Sequence, residues 1–238
     1  MLDNFSVTLV EPQGSLNIGM VARAMKNCGI NKLKLVNPVK YNQTEAYRMA
    51  CFAKDVVDGA GFFTDLKGAL ADETCSVAFT RRLSKTRKPH YELEEIAPLL
   101  AGRMKKGNVA LVFGREDDGM TNDELYQCDF RVHIPTFEPY GSLNLAQAVL
   151  IACYEIFRKS YNLKLDKADM FVDQKELRPM LASLDDMLIK IGYDDDGGKL
   201  RKKIMQAFKE ICGRSGLRRK DVNMFLGIWS RVRKSIVK

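Results

Sequence analysis

Residues 6–38, SVTLVEPQGSLNIGMVARAMKNCGINKLKLVNP, read as strand, loop, helix and strand in a single unit. Val7-Thr8-Leu9-Val10 is a short apolar run of the kind that fills a strand buried on both faces. Pro12 and Gly14 break the loop that runs from Glu11 to Leu16. From Asn17 the pattern becomes helical, with Val21, Ala22, Met25 and Cys28 on one apolar face. Gly29 follows where a helix end favours a left-handed residue. Leu33–Val36 is the second strand, stopped by Asn37-Pro38. Two strands joined through a helix are the building unit of a parallel sheet.

The same rhythm continues outward. Ser76–Thr80, Val109–Phe113 and Arg131–Ile134 are further short apolar runs bounded by turn signals, the last closed by Pro135. Thr121-Asn122-Asp123-Glu124 has the spacing of a capping box, and a long helix is expected from near Ser142 to about Ser160. The fold class is therefore α/β, a mostly parallel sheet with helices on both faces. After residue 160 the character changes. Residues 161–172 are expected to be a linker, and three helical patterns follow at 174–191, 199–212 and 220–234, with no strand among them. Asp173-Gln174-Lys175-Glu176 resembles another capping box. The expected organisation is a domain at 1–160, a linker at 161–172 and a small all-α domain at 173–238. The run Asp194-Asp195-Asp196-Gly197-Gly198 lacks the ligand spacing of a calcium loop and reads as a solvated turn.

Composition narrows the class. The chain has 238 residues, 46% hydrophobic and 29% charged, as in ordinary globular proteins. The N-terminus carries no basic leader, and no run approaches the roughly 20 apolar residues of a membrane span, so a soluble cytoplasmic protein is expected. Six cysteines are scattered without a CxxC pair, which suits free thiols in a reducing compartment and offers no metal site. With two histidines, neither in a nucleophile motif, a Ser-His hydrolase is a poor fit. The net charge is +8. Arg81, Arg82, Lys85, Arg87 and Lys88 form one basic group. Lys199, Arg201, Lys202, Lys203, Lys209, Arg214, Arg218, Arg219 and Lys220 form another, with Glu210 the only acid among them. Two such clusters favour a polyanion of RNA size, with Arg82, Arg87, Lys202, Arg218 and Arg219 as candidate contacts.

Three polar segments sit where apolar runs meet helices, the place an α/β sheet puts its ligands. They are Asn17-Ile18-Gly19 with Arg23, then Phe113-Gly114-Arg115-Glu116, then Ser142-Leu143-Asn144-Leu145. No GxGxxG follows the first strand and no GxxxxGK[ST] occurs, so ordinary dinucleotide and P-loop binding are poorly supported. The ordered set N-x-G-x-x-x-R, F-G-x-E-x-x-G and S-L-N-L resembles the knotted SPOUT class of RNA methyltransferases. Within that class it is similar to the tRNA (cytidine/uridine-2′-O-)-methyltransferases of the TrmJ type, closely over residues 1–160 and more weakly beyond.

The resemblance implies a trefoil knot at the C-terminal end of the α/β domain, holding S-adenosylmethionine. Carried onto this chain, the cofactor loops are Thr80-Arg81, Gly114, and Ile134 through Gly141-Ser142-Leu143. Gly114 would let backbone approach the ligand, or only turn the chain after its strand; Ser142 would line the site, or only cap its helix. Arg23 is the implied catalytic residue. Asn17, Glu116 and Asn144 would form a network that positions the Arg23 loop and the ribose, Glu116 alternatively serving the amides of the knot loop. The family has a small residue where Phe79 stands. Either Arg81 or Arg82 would reach RNA, and residues 136–140 form the substrate-facing loop, with Tyr140 stacking on a base or on a partner subunit. The resemblance further implies a homodimer paired through the knot, with Val149, Ile151 and Ala152 as a candidate face, and tRNA as partner. The expected reaction is 2′-O-methylation in a tRNA anticodon loop. The alternatives are the same chemistry on ribosomal RNA, or a non-enzymatic RNA-binding protein that keeps the fold.

Overall fold

The computed structural model describes residues 2–81, 91–137, 141–161, 170–194 and 197–236. Of the residues singled out above, Arg82, Lys85, Arg87, Lys88, Tyr140, Asp195 and Asp196 lie outside this set.

The chain runs β1 (Phe5–Val10), α1 (Ser15–Asn27), β2 (Lys32–Val36), α2 (Gln43–Ala50), a 3-10 turn at Cys51–Ala53 and α3 (Lys54–Asp58). It continues through β3 (Gly61–Phe63), α4 (Leu66–Ala69), β4 (Cys75–Phe79), β5 (Tyr91–Glu92), α5 (Leu93–Arg103), β6 (Val109–Phe113), α6 (Asn122–Gln127), β7 (Phe130–His133) and α7 (Leu145–Ser160). Three helices close the chain: α8 (Gln174–Lys190), α9 (Lys199–Ser215) and α10 (Arg219–Ile236). The described strands form one sheet in the order β3-β2-β1-β6-β4-β7-β5, and every pair is parallel.

Strand side chains alternate between two apolar layers, as the twofold period requires. Val7, Leu9, Val77, Leu111 and Phe113 face α1, α5 and α7 in the larger core. Val10, Ala78, Ala110 and Val112 face α4 and α6 in the smaller one. Both faces are thus covered, which is why the strands read as continuous apolar runs. Gly29 takes φ +73 just past α1, and the Ile30 amide donates to the Met25 carbonyl at 3.0 Å, so the left-handed exit expected there is present.

Several expectations need correction. α1 begins at Ser15, ahead of Asn17, which places the Asn17 side chain on the first helical turn. The long helix begins at Leu145 with Asn144 as its N-cap, whose Oδ1 accepts from the Ala146 amide (2.9 Å); Ser142 is not the cap. Thr121 and Glu124 do form a reciprocal box. At α8 only half of one forms: Asp173 caps the Glu176 amide at 2.8 Å, while the Glu176 carboxylate pairs with Arg219. Val149 and Ala152 are fully buried in the protomer's own core, so of the expected pairing face only Ile151 is open. The end of the expected linker is docked, since the Phe171 amide donates to Lys106 and the Val172 amide to Leu217.

The three last helices pack on each other around Met180, Phe208, Cys212, Phe225 and Trp229. They join the sheet at the N-terminal ends of β4 and β7. There the buried Asp129 carboxylate accepts from the Ser76 amide (2.8 Å) and hydroxyl (2.9 Å), and Arg103 donates to the Gly213 carbonyl at 2.7 Å. Gly213 lies so close that a Cβ would sit 1.9 Å from Asp129 Oδ1. Burial raises the Asp129 carboxyl above its usual range, opposed by the two Ser76 bonds.

Candidate active site

The opposite, C-terminal ends of β4, β6 and β7 open into a cleft of about 240 Å³. All seven residues expected to hold a cofactor line it: Thr80, Arg81, Gly114, Ile134, Gly141, Ser142 and Leu143. They come from three loops far apart in sequence, brought together because β4, β6 and β7 are neighbours in the sheet. At the cleft, Phe79 stacks on Phe113 with ring centroids 4.5 Å apart and planes 3° from parallel. The bulky residue at 79 is therefore accommodated by an aromatic pair that closes one wall.

Gly114 is required by space. A Cβ there would lie 2.3 Å from the carbonyl carbon of Gly119 and 2.6 Å from the Met120 nitrogen. The turn 115–119 folds back on itself through Arg115 N–H to Gly119 O (3.2 Å) and Gly119 N–H to Arg115 O (3.1 Å), with Gly119 at φ +66. Gly114 thus serves both the turn and the cleft lining.

The expected polar network is present. Asn17 Nδ2 donates to Glu116 Oε1 at 2.9 Å, and Asn144 Nδ2 donates to Asn17 Oδ1 at 3.2 Å. The other Glu116 oxygen accepts from the Gln13 amide at 3.0 Å. Three segments separated in sequence, Asn17 lying 99 residues from Glu116 and 127 from Asn144, are thereby tied at one edge of the cleft, and Asn144 holds α7 and the network at once.

Arg23 is elsewhere. It is exposed on α1 and does not line the cleft of its own chain; its Nη1 lies 3.7 Å from Cys51 Sγ. Gly19 explains how α1 and α2 approach so closely, since a Cβ there would meet the Ala46 carbonyl oxygen at 2.0 Å. Cys51 itself sits at φ +52, ψ −112, a conformation costing an L-residue on the order of 1–3 kcal/mol.

Arg115, which the motifs mark only as a neighbour of Gly114 and Glu116, holds the cleft wall together. Its Nε donates to Glu11 Oε2 (2.9 Å), and Nη1 and Nη2 grip both Glu124 oxygens at 3.0 and 2.9 Å. Nη1 also reaches the Gly119 carbonyl at 3.1 Å. These bonds raise the affinity of Arg115 for its proton. Arg115 holds the Glu11 carboxyl below its usual range. At Glu124 burial pushes upward, but the Arg115 guanidinium and the Thr121 amide outweigh it and the carboxyl is lowered. One half-buried cation thereby fixes the end of β1, the 115–119 turn and α6. The available signal was an arginine set among Glu116, Asp117, Asp118 and Glu124. Asp117, lowered by the Gln13 side chain, and Asp118 also line the cleft, as does His133.

Among the expected RNA contacts, Lys202 is exposed on α9. Arg218 begins the turn into α10, its amide bonded to Asp221 at 2.9 Å, and Arg219 is exposed but paired with Glu176. All three lie on the helical bundle, at the far end of the strands from the cleft.

Comparison with known proteins agrees with this geometry. Residues 4–154 match the model of the SpoU rRNA Methylase family. A tRNA (cytidine/uridine/adenosine-2′-O-)-methyltransferase TrmJ of Pseudomonas aeruginosa is 34% identical over 98% of this chain and 95% of its own. A tRNA (cytidine-2′-O-)-methyltransferase TrmJ of Methanocaldococcus jannaschii is 36% identical over 76% of this chain and 79% of its own. The crystal structure of TrmJ from Z. mobilis superposes with a TM-score of 0.78 at 28% identity, covering 96% of this chain and 98% of that one. With the family model spanning residues 4–154 and the similarity to TrmJ proteins running nearly end to end, the chain belongs to the SpoU methylase family, on its TrmJ side.

Proposed function

We propose that this protein methylates a ribose 2′-hydroxyl in the anticodon loop of tRNA, in the cytoplasm, using S-adenosylmethionine. The observation that carries the reading is the convergence of Thr80-Arg81, Gly114, Ile134 and Gly141-Ser142-Leu143 on one cleft at the carboxyl ends of three adjacent strands. The residues suit the cofactor. Gly114 leaves no room for a side chain, so backbone can approach a ligand closely. Ile134 and Leu143 offer apolar surface for an adenine face, and the carboxylates Glu116, Asp117 and Asp118 suit a cationic sulfonium. When bound, the cofactor would supply an activated methyl group, and in this reading the loops that end the strands β6 and β7 belong to a knot around it.

The chain's own groups do the positioning. Asn17, Glu116 and Asn144 form a bonded array that fixes α1 and α7 about the cleft, and orientation of this kind supplies a large part of the acceleration in a displacement reaction. The guanidinium is a planar fork of N–H donors with no acceptor, so Arg23 acts by holding the neighbouring phosphate and stabilising the developing alkoxide rather than as a base. Because Arg23 does not face its own cleft, it meets the reacting ribose at the cleft of a second copy. An exposed stripe on α7, Leu150, Ile151 and Tyr154, gives a homodimer an apolar face to pair through. Residues 1–160 then form the catalytic domain, and the basic helices of residues 173–238 hold the tRNA body, adding affinity without base information.

The test is nucleoside mass mapping of tRNA from cells with and without the protein, alongside titration of the pure protein with S-adenosylmethionine. Loss of one 2′-O-methyl nucleoside in the anticodon loop supports the reading. The family's description favours ribosomal RNA as the second substrate to assay; a missing methyl there, with tRNA intact, would replace tRNA in the proposal.

A further inference from the structure

Phe52 is 98% exposed, the highest value among the large apolar side chains described. It is the middle residue of the 3-10 turn that follows α2, and its neighbour Cys51 makes the sulfur contact to Arg23. A phenyl ring left in water forgoes the gain that burial brings, and it is available to a flat partner. The surroundings are partly apolar and cationic. Leu16 on α1 and Met49 on α2 are 42% and 39% exposed. Residues 46–54 contain Arg48 and Lys54 and no acid, and the next acid, Asp55, is taken by Lys26 at 2.5 Å. Among the described residues Arg23 has no carboxylate partner.

We propose that Phe52 and Arg23 form one nucleotide subsite, in which the ring stacks on an unpaired RNA base and the guanidinium takes the phosphate beside it. The inference rests on the RNA methyltransferase reading above and adds the residue that selects for single-stranded substrate near the target ribose. Stacking tolerates any base because each has a π-face, so Phe52 confers a preference for unpaired RNA rather than for sequence. A second copy of this chain is the competing occupant. At the cleft of a second copy, where Arg23 is proposed to act, an RNA phosphodiester supplies the countercharge that the guanidinium lacks within its own chain, which favours RNA over apolar protein as the group that covers Phe52.

The experiment uses the full chain with S-adenosylmethionine and unfractionated tRNA. Phe52→Ala should leave S-adenosylmethionine affinity unchanged. It should raise KM for tRNA about 5- to 100-fold, the range found when a base-stacking ring is removed, while kcat moves by less than about threefold. Phe52→Trp should restore KM. In a Trp229→Phe background, which removes the native tryptophan, its fluorescence should be quenched by tRNA and by a single-stranded oligonucleotide but not by a duplex. An unchanged KM in Phe52→Ala, or equal quenching by duplex RNA, would overturn the subsite. So would loss of the dimer in sedimentation with KM following it, which would assign the face to a second copy. A wild-type protein that neither binds S-adenosylmethionine nor methylates RNA would sink the methyltransferase reading, and the quenching measurement would still decide the subsite.

Discussion

Replacing Gly114 by alanine sets two effects of opposite sign against each other. Gly114 does not sit at positive φ, so alanine suits its backbone and, by restricting the unfolded chain alone, would stabilise by about 0.4–1 kcal/mol. Against this stands the contact at 2.3 Å with the Gly119 carbonyl carbon and at 2.5 Å with its oxygen, both backbone atoms that cannot rotate away. Ordinary carbon contact needs about 3.5 Å, so the 115–119 turn must withdraw by roughly 1 Å. Such overpacking costs about 1–3 kcal/mol, which outweighs the entropic gain and lowers Tm by about 2–8 °C at this chain length. The displaced turn carries Glu116 and Asp117 along the cleft and pulls on the Arg115 bonds to Gly119 and Glu124. S-adenosylmethionine affinity should therefore fall at least about tenfold, since a misplacement of about 1 Å can cost a hundredfold in function. Gly102, in α5, is the control: nothing lies within 4 Å of its Cβ position, so Gly102→Ala should hold or raise Tm and leave binding intact. The measurements are thermal melts with and without S-adenosylmethionine, and calorimetric titration of both variants. A Gly114→Ala protein with unchanged Tm and affinity would refute the claim that this close approach shapes the site.

Two further outcomes follow from the charges and thiols. Glu11 and Glu124 have folded pKa values below the usual 4.5, so their contribution is complete above that pH and disappears as pH falls through the lowered values. Arg115→Leu should lose about 2 kcal/mol, or roughly 4–8 °C in Tm, at pH 7. It should also flatten the melting profile below pH 4.5; a profile parallel to wild type would show that Arg115 does not hold these carboxylates. Of the six cysteines, Cys51 alone is exposed, while burial raises the thiols of Cys28, Cys75, Cys128, Cys153 and Cys212, the last to about 11. Native protein should therefore react rapidly with one equivalent of a thiol reagent, placed by peptide mass mapping at Cys51; fast labelling of Cys75 or Cys128 would contradict the packing.

How far the sequence could be read follows from what each residue answers to. β1, β2, β4, β6 and β7 were legible to within a residue or two because a parallel strand covered on both faces must be a continuous apolar run. α2 was not, because it buries only Ala46 and Ala50 against α1, leaving no large apolar stripe to count. α5 carries Leu93, Ile96, Ala97 and Leu100 at helical spacing, but Pro98 lies within it and reads as a breaker. β3 and β5, three and two residues long at the sheet edges, are too short for any period to show. The lining of the cleft was legible because the motifs that carry the resemblance end strands that happen to be neighbours. The Arg115 clamp was hidden because its partners, Glu11 and Glu124, are joined to it only by the crossing of β1 beside β6 and by the turn into α6.

The placement of the basic helices was beyond sequence for a different reason. Nothing in their amphipathic patterns says which end of the sheet they cover; that is set by contacts distant in sequence, among them Gly213 against the buried Asp129 that Ser76 holds, Arg103 to the Gly213 carbonyl and the Gln174 amide to Glu73. The result has a functional consequence. β4 is five residues long, about 17 Å of extended chain, and the cleft lies at one end of it with the helices at the other. None of the residues that line the cleft belongs to these helices. In the proposed function the helices therefore hold RNA away from the target nucleotide, whose recognition falls to groups around the cleft and to Arg23. On that proposal the ring of Phe52 bears more on substrate choice than the positive charge of the C-terminal region, which would add affinity without base information.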